Sequence, residues 1–218
     1  MNKSDVLRRI RDTGLIPVVR AESSDQAMRA VAALQAGGLD ILEITMTVPG
    51  AIEVIKALAG EYGDKALIGA GTVLDPETAQ ACIQAGAQFI VSPALNVETI
   101  QFCRERDVAV FPGALTPTEV VQAWKAGADA VKVFPAGAVG GASYLKALKA
   151  PLPQVELIPT GGVSLKTAGD FIRAGAMALG VGADLVDTKA LREGNSALIT
   201  DRARQFLEIV QSTRASLV

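Results

Sequence analysis

Ala126-Gly127-Ala128-Asp129-Ala130-Val131-Lys132-Val133-Phe134-Pro135 joins two signals whose repetition decides the fold. An alanine-glycine pair closes a helical-period segment, because glycine enters the left-handed conformation that ends a helix without steric penalty. A short β-branched run follows, and a proline stops it by offering no amide hydrogen for a further ladder bond. The alanine-glycine pair recurs before strand-like runs at Ala36-Gly37, Ala85-Gly86 and Ala174-Gly175, about two strand-helix units apart. The apolar pattern predicts strands near 16–20, 41–45, 67–72, 89–92, 109–112, 130–134, 156–160 and 178–182. Helices are predicted near 24–36, 50–60, 76–85, 97–106, 117–126, 142–149, 165–174 and 199–213, with a short amphipathic one over the first ten residues.

Eight successive strand-helix units predict an α/β fold of the (β/α)8 TIM barrel type with an extra N-terminal helix, in which right-handed crossovers are near-universal. The 218 residues fit one such domain over 1–218, since these barrels run to roughly 250 residues undivided. An open doubly wound sheet is the alternative. Its dinucleotide fingerprint is missing, because Gly69-Ala70-Gly71-Thr72-Val73-Leu74 carries leucine where the last glycine belongs.

Composition narrows the function by exclusion. Half the residues are apolar and only 4% aromatic, as helices packed on a parallel sheet require. Twenty-one basic against 23 acidic residues leave a net charge of -2, so no basic field recruits nucleic acid or acidic lipid. The N-terminus lacks a secretory pattern, and no apolar stretch is long enough to span a bilayer. Cys82 and Cys103, without CxxC spacing, read as reduced core residues of a cytoplasmic protein. Histidine is absent altogether, which removes Ser-His-Asp and Cys-His arrangements and the commonest metal ligand.

Lys132 therefore stands out. A lone ammonium in a strand that should be buried costs several kcal/mol without a partner, which favours the neutral, nucleophilic amine. Such an amine suits attack on a ketone or aldehyde to form a Schiff base. Other polar residues fall at strand ends, where barrel active sites lie: Arg20, Glu43 in Ile41-Leu42-Glu43-Ile44-Thr45, and Thr72. The functional reading has Lys132 attack a carbonyl, Glu43 relay protons, and Arg20 with Thr72 hold a carboxylate. A snorkelling lysine or a buried salt bridge is the structural alternative, but it leaves the clustering of these groups at one end unexplained.

A second constellation is glycine-rich. Pro159-Thr160-Gly161-Gly162-Val163 follows the seventh predicted strand and Gly180-Val181-Gly182-Ala183-Asp184 the eighth. Loops after those two strands often hold phosphate on exposed backbone N–H groups. Thr160, Gly161, Gly162, Gly182 and Ala183 are thus candidates for a phosphate site, with Ser164 as a further hydroxyl donor; ordinary tight turns are the alternative. Pro93 and Phe134, at strand-closing prolines, are candidates for shaping the substrate pocket. Trp124 and Tyr144 read as helix packing residues.

Taken together, Pro17-Val18-Val19-Arg20, Leu42-Glu43-Ile44-Thr45, Gly69-Ala70-Gly71-Thr72, Val91-Ser92-Pro93, Val131-Lys132-Val133-Phe134-Pro135 and Pro159-Thr160-Gly161-Gly162 give the chain a resemblance, nearly end to end, to 2-keto-3-deoxy-6-phosphogluconate aldolases. Relatives in that family act on 2-keto-3-deoxy-6-phosphogalactonate or 4-hydroxy-2-oxoglutarate. The resemblance implies a class I aldolase on a small 2-keto acid phosphate, with Lys132 as Schiff-base lysine and Glu43 as general acid and base. It implies substrate contacts from Arg20 and Thr72, phosphate contacts from Gly161, Gly162 and Gly182, a homotrimer, and neither metal nor cofactor. Two departures stand out: Thr47 replaces an arginine that some relatives carry, and Ala183 replaces a serine, removing one hydroxyl from the phosphate site. The competing readings are a phosphosugar isomerase using Glu43 as base and a sugar-phosphate sensor without turnover; no added interaction segment favours the sensor.

Overall fold

Strands and helices alternate along most of the computed structural model, which describes residues 1–217. In chain order the elements are α1 (Lys3–Thr13), β1 (Leu15–Val19), α2 (Ser24–Ala36), β2 (Ile41–Thr45), α3 (Ala51–Tyr62), β3 (Leu67–Gly71), α4 (Pro76–Gln84) and β4 (Phe89–Val91). They continue with α5 (Val97–Glu105), β5 (Ala109–Phe111), β6 (Gly113–Ala114), α6 (Pro117–Ala126), β7 (Val131–Val133) and α7 (Ala142–Lys149). Last come β8 (Leu157–Pro159), α8 (Ala168–Arg173), β9 (Leu179–Val181), α9 (Thr188–Arg192) and α10 (Ser196–Ala215). Several helices begin a few residues after a strand on a side-chain cap: Ser23 accepts from the Gln26 amide, Asp75 from Thr78 and Asn96 from Thr99. Thr116 and Glu119 close a reciprocal capping box at the start of α6. Caps there keep the loops beyond the strand ends short, which is the end that holds the site.

All strand pairs are parallel, in a six-stranded sheet ordered β5-β4-β3-β2-β1-β9 and a three-stranded sheet ordered β6-β7-β8. Where the sequence predicts one strand over 109–112, two short ones occur, β5 and β6, because Pro112 interrupts the ladder and carries the chain from one sheet into the other. The Lys132 amide donates to the Pro112 carbonyl at 2.9 Å across that junction. At the opposite edges a parallel bridge pairs Thr160 with Gly180. The result is a curled parallel sheet in an α/β fold.

Alternation of side chains along the strands builds two apolar layers. Leu42, Ile44, Ile68, Ala70, Val131 and Val133 pack outward against the helices. Ile16, Ile41, Leu67, Phe89, Phe111, Ala130, Ile158 and Ala178 gather on the inner face, and Val6 and Ile10 of α1 join them. Gly69 makes room for that layer: a Cβ there would lie 2.2 Å from the Phe89 ring.

The helix-closing glycines divide into two kinds. Gly86, Gly127 and Gly175 take the expected left-handed conformation, with φ of 108°, 100° and 94°. Gly37 does not, since its φ is -84°. Its reason is packing: a Cβ at Gly37 would meet the Ala203 Cβ at 2.5 Å and the Thr200 carbonyl oxygen at 2.7 Å, so glycine lets α2 and α10 touch. Trp124 departs from expectation too, being 42% exposed on α6 rather than packed. Tyr144 is half-buried, its hydroxyl donating to the Leu115 carbonyl. The short helix α9 has no counterpart in the sequence reading, because five residues carry too little periodicity to register. Among the described residues no helix is long and apolar enough to cross a membrane.

Candidate active site

Strand register brings the two principal residues to the inner face. Glu43 lies in β2 between Val18 of β1 and Gly69 of β3. Lys132 lies in β7 between Gly113 of β6 and Ile158 of β8. The Lys132 Nζ stands 3.9 Å from Glu43 Oε1, with side-chain exposures of only 5% and 3%. That distance makes an ion pair without a direct hydrogen bond. Glu43 Oε1 is buried with no hydrogen-bond partner, so it is free to accept from a hydroxyl brought beside it. Phe134, two residues along from Lys132, places its ring centroid 5.5 Å from the ammonium.

Burial pushes the Glu43 carboxyl above its ordinary range, and the charges of Lys132 and then Arg20 pull part of the way back. An acid raised in this way holds its proton more firmly than a solvent-exposed glutamate, which suits it to deliver and take back a proton. Its position depends on Gly71, a residue to which the sequence assigns no role of its own. A Cβ at Gly71 would sit 2.0 Å from Glu43 Oε1 and 2.7 Å from its Cγ, so only glycine leaves space for the carboxylate. The repeated glycines of Gly69-Ala70-Gly71 were a visible hint of such close approach.

A cavity of about 190 Å³ opens at the same strand ends. Arg20, Phe134, Thr160, Gly161, Gly162, Gly182 and Ala183 line it, so seven of the candidate residues converge on one space. Gly161 and Gly162 have φ of 81° and 79°, a conformation glycine adopts freely, and a Cβ on Gly162 would meet the Gly137 Cα at 2.7 Å. Thr160 is buried and its Oγ1 fills the space that a Cβ at Gly180 would need. Ser164 is not part of this lining and is joined to Thr167 by its backbone amide and hydroxyl.

Thr72 and Pro93 lie at strand ends outside this lining. Thr72 directly follows β3 with φ of 60°, a left-handed conformation that is strained for a β-branched residue. Pro93 follows β4, where its carbonyl packs against Gly113; a Cβ on Gly113 would come within 2.2 Å of it. Asp184, quoted in the sequence motif but given no role, lines the cavity beside Ala183. Among the described residues no group of three or more carboxylates or thiols gathers to hold a metal ion. Cys82 and Cys103 are free and buried, and burial pushes their thiols up to about 11 and about 12, so both stay protonated.

The family model described as KDPG and KHG aldolase matches residues 6–202. The 2-dehydro-3-deoxy-phosphogluconate aldolase of Treponema pallidum is 35% identical over 206 residues, covering 94% of this chain and 96% of that protein. The 2-dehydro-3-deoxy-6-phosphogalactonate aldolase of Escherichia coli is 41% identical over 172 residues, covering 78% and 83%. Among solved structures, a KDPG aldolase from Legionella pneumophila with pyruvate captured as a covalent carbinolamine superposes with a TM-score of 0.84 at 30% identity, covering 91% of this chain and 96% of that one.

Proposed function

This chain belongs to the KDPG and KHG aldolase family, whose members are carbon-carbon lyases, and from that premise we propose that Lys132 and Glu43 reversibly cleave 2-keto-3-deoxy-6-phosphogluconate to pyruvate and glyceraldehyde 3-phosphate. The observation that carries this reading is the buried amine 3.9 Å from a buried acid with an unengaged oxygen. The Lys132 amine adds to the C2 ketone, and Glu43 delivers the proton with which the carbinolamine hydroxyl leaves as water. The resulting iminium is an electron sink. Glu43, now a carboxylate, takes the proton of the C4 hydroxyl; the C3–C4 bond breaks, its electron pair moves into the enamine, and the aldehyde departs. Protonation at C3 and hydrolysis then free pyruvate and restore the amine.

In this proposal Arg20 and Thr72 hold the substrate carboxylate, Pro93 and Phe134 shape the pocket, and Thr160, Gly161, Gly162, Gly182 and Ala183 receive the phosphate. The 6-phosphogalactonate epimer is the second candidate substrate, favoured by the 41% identity to the Escherichia coli enzyme, with 4-hydroxy-2-oxoglutarate a third. The two edge junctions, Pro112 and the Thr160–Gly180 bridge, support reading the curled sheet as a closed (β/α)8 barrel in one domain with α1 across its N-terminal end. The homotrimer rests on the family resemblance, with exposed Leu74, Val97 and Trp124 as apolar surface that association could cover, and two free buried thiols suit a cytoplasmic enzyme.

Pyruvate with borohydride tests the chemistry: the added mass should map to Lys132, and Lys132→Ala should abolish both trapping and cleavage. Chelators should leave turnover unchanged. An adduct absent from Lys132, or turnover lost to a chelator, would overturn the mechanism.

A further inference from the structure

Among the residues that line the glycine cavity, Arg20 is the one cation and Asp184 the one anion. Arg20 acts on Glu43, at the reacting end. Asp184 lies in the lining next to Ala183, a residue without a side-chain hydroxyl. The carboxylate forms no ion pair within 4.0 Å among the described residues, and it is exposed. Lys166 and Arg202 border a neighbouring hollow, and Asp184 is the residue that the two spaces share. Arg202 is already engaged by Asp187 at 3.2 Å. A phosphate dianion entering the cavity would therefore meet glycine amides, Thr160 and Arg20, and with them the negative charge of Asp184.

Resting on the aldolase reading above, we propose that Asp184 sets the preference at the far end of the substrate: it repels a phosphate dianion and accepts a hydrogen bond from a terminal hydroxyl, so that the site also cleaves the unphosphorylated 2-keto-3-deoxy sugar acid. A carboxylate is an acceptor without a donor, which a hydroxyl satisfies and a phosphate oxygen does not. Ala183 adds to the bias by withholding a donor that phosphate would use.

The test compares kcat/KM for 2-keto-3-deoxygluconate and its 6-phosphate in the parent enzyme and in Asp184→Asn. The amide keeps the shape, removes the charge and supplies a donor. The ratio of phosphorylated to unphosphorylated kcat/KM should rise about tenfold in Asp184→Asn, and that rise should shrink at high salt, as screening of a charge effect requires. Because each ratio is taken on one preparation, incomplete folding of the variant cancels. A ratio that stays within twofold, or that falls, would overturn the proposal. Borohydride trapping of pyruvate on the parent separates the two failures: an adduct at Lys132 with an unmoved ratio refutes only the role of Asp184, whereas no adduct refutes both.

Discussion

Gly71→Ala adds one methyl group, and the structure says where it must go. The new Cβ would stand 2.0 Å from Glu43 Oε1, 2.6 Å from Cδ and 2.7 Å from Cγ, so the whole outer half of the glutamate has to move. Glu43 is 2% exposed and cannot swing into solvent. Overpacking of this kind costs about 1–3 kcal/mol, offset by roughly 0.4–1 kcal/mol from a less flexible unfolded chain, because Gly71 needs no left-handed backbone. A net loss of about 1–2 kcal/mol should lower Tm by about 2–8 °C for a chain of this size. Displacing the carboxylate from Lys132 should remove its proton transfers, worth about 10²- to 10⁴-fold in kcat. The assay pairs thermal denaturation with exchange of the pyruvate methyl protons into deuterated water, a step that the proposed mechanism assigns to Glu43 and that needs no aldehyde. In a Glu43→Ala background the same methyl has space, so the Tm penalty should vanish. Unchanged exchange and unchanged Tm in Gly71→Ala would refute the argument that this glycine holds open the place of the acid.

Three further outcomes follow from the geometry. Because burial raises the Glu43 carboxyl more than Lys132 and Arg20 lower it, the folded chain binds this proton more readily than the unfolded chain; its contribution to stability is present below the unfolded carboxylate range and is lost as pH rises through the folded value. Glu43→Gln should accordingly gain stability relative to the parent as pH rises above the ordinary carboxylate range, and a constant offset in denaturation midpoint would contradict this. Thr72→Gly should keep or raise Tm by relieving a left-handed threonine, worth about 1–2 kcal/mol, while raising KM for the keto acid about tenfold; a fall in Tm with unaltered KM would reverse the assignment. Gly162→Ala, driven into the Gly137 Cα at φ of 79°, should cut kcat/KM for the phosphorylated substrate at least tenfold, as steady-state kinetics would show, yet leave pyruvate trapping at Lys132 in place.

Much of the site could be read from residue types that disagree with their surroundings. Lys132 and Glu43 interrupt apolar strands, and a charge in such a place is costly whatever the neighbours turn out to be. Local pattern was also enough for the order of strands and helices, because apolar periodicity and caps act within a few residues. The same pattern is silent about contacts between distant segments. It misjudged Gly37, whose partner α10 comes from the far end of the chain, and ran one strand through Pro112 where two sheets share the segment.

What belonged to the sequence alone, then, was an alternating α/β chain, an amine and an acid in buried strands, and glycine-rich turns where an anion could bind. Only the tertiary structure set the 3.9 Å between Lys132 and Glu43, gave Gly71 its purpose, strained Thr72 and placed Asp184 in the lining of the cavity. The division has a physical cause: the cost of burying a charge and the period of a strand are properties of a few adjacent residues, whereas separation, clearance and field arise from strands brought side by side by the fold.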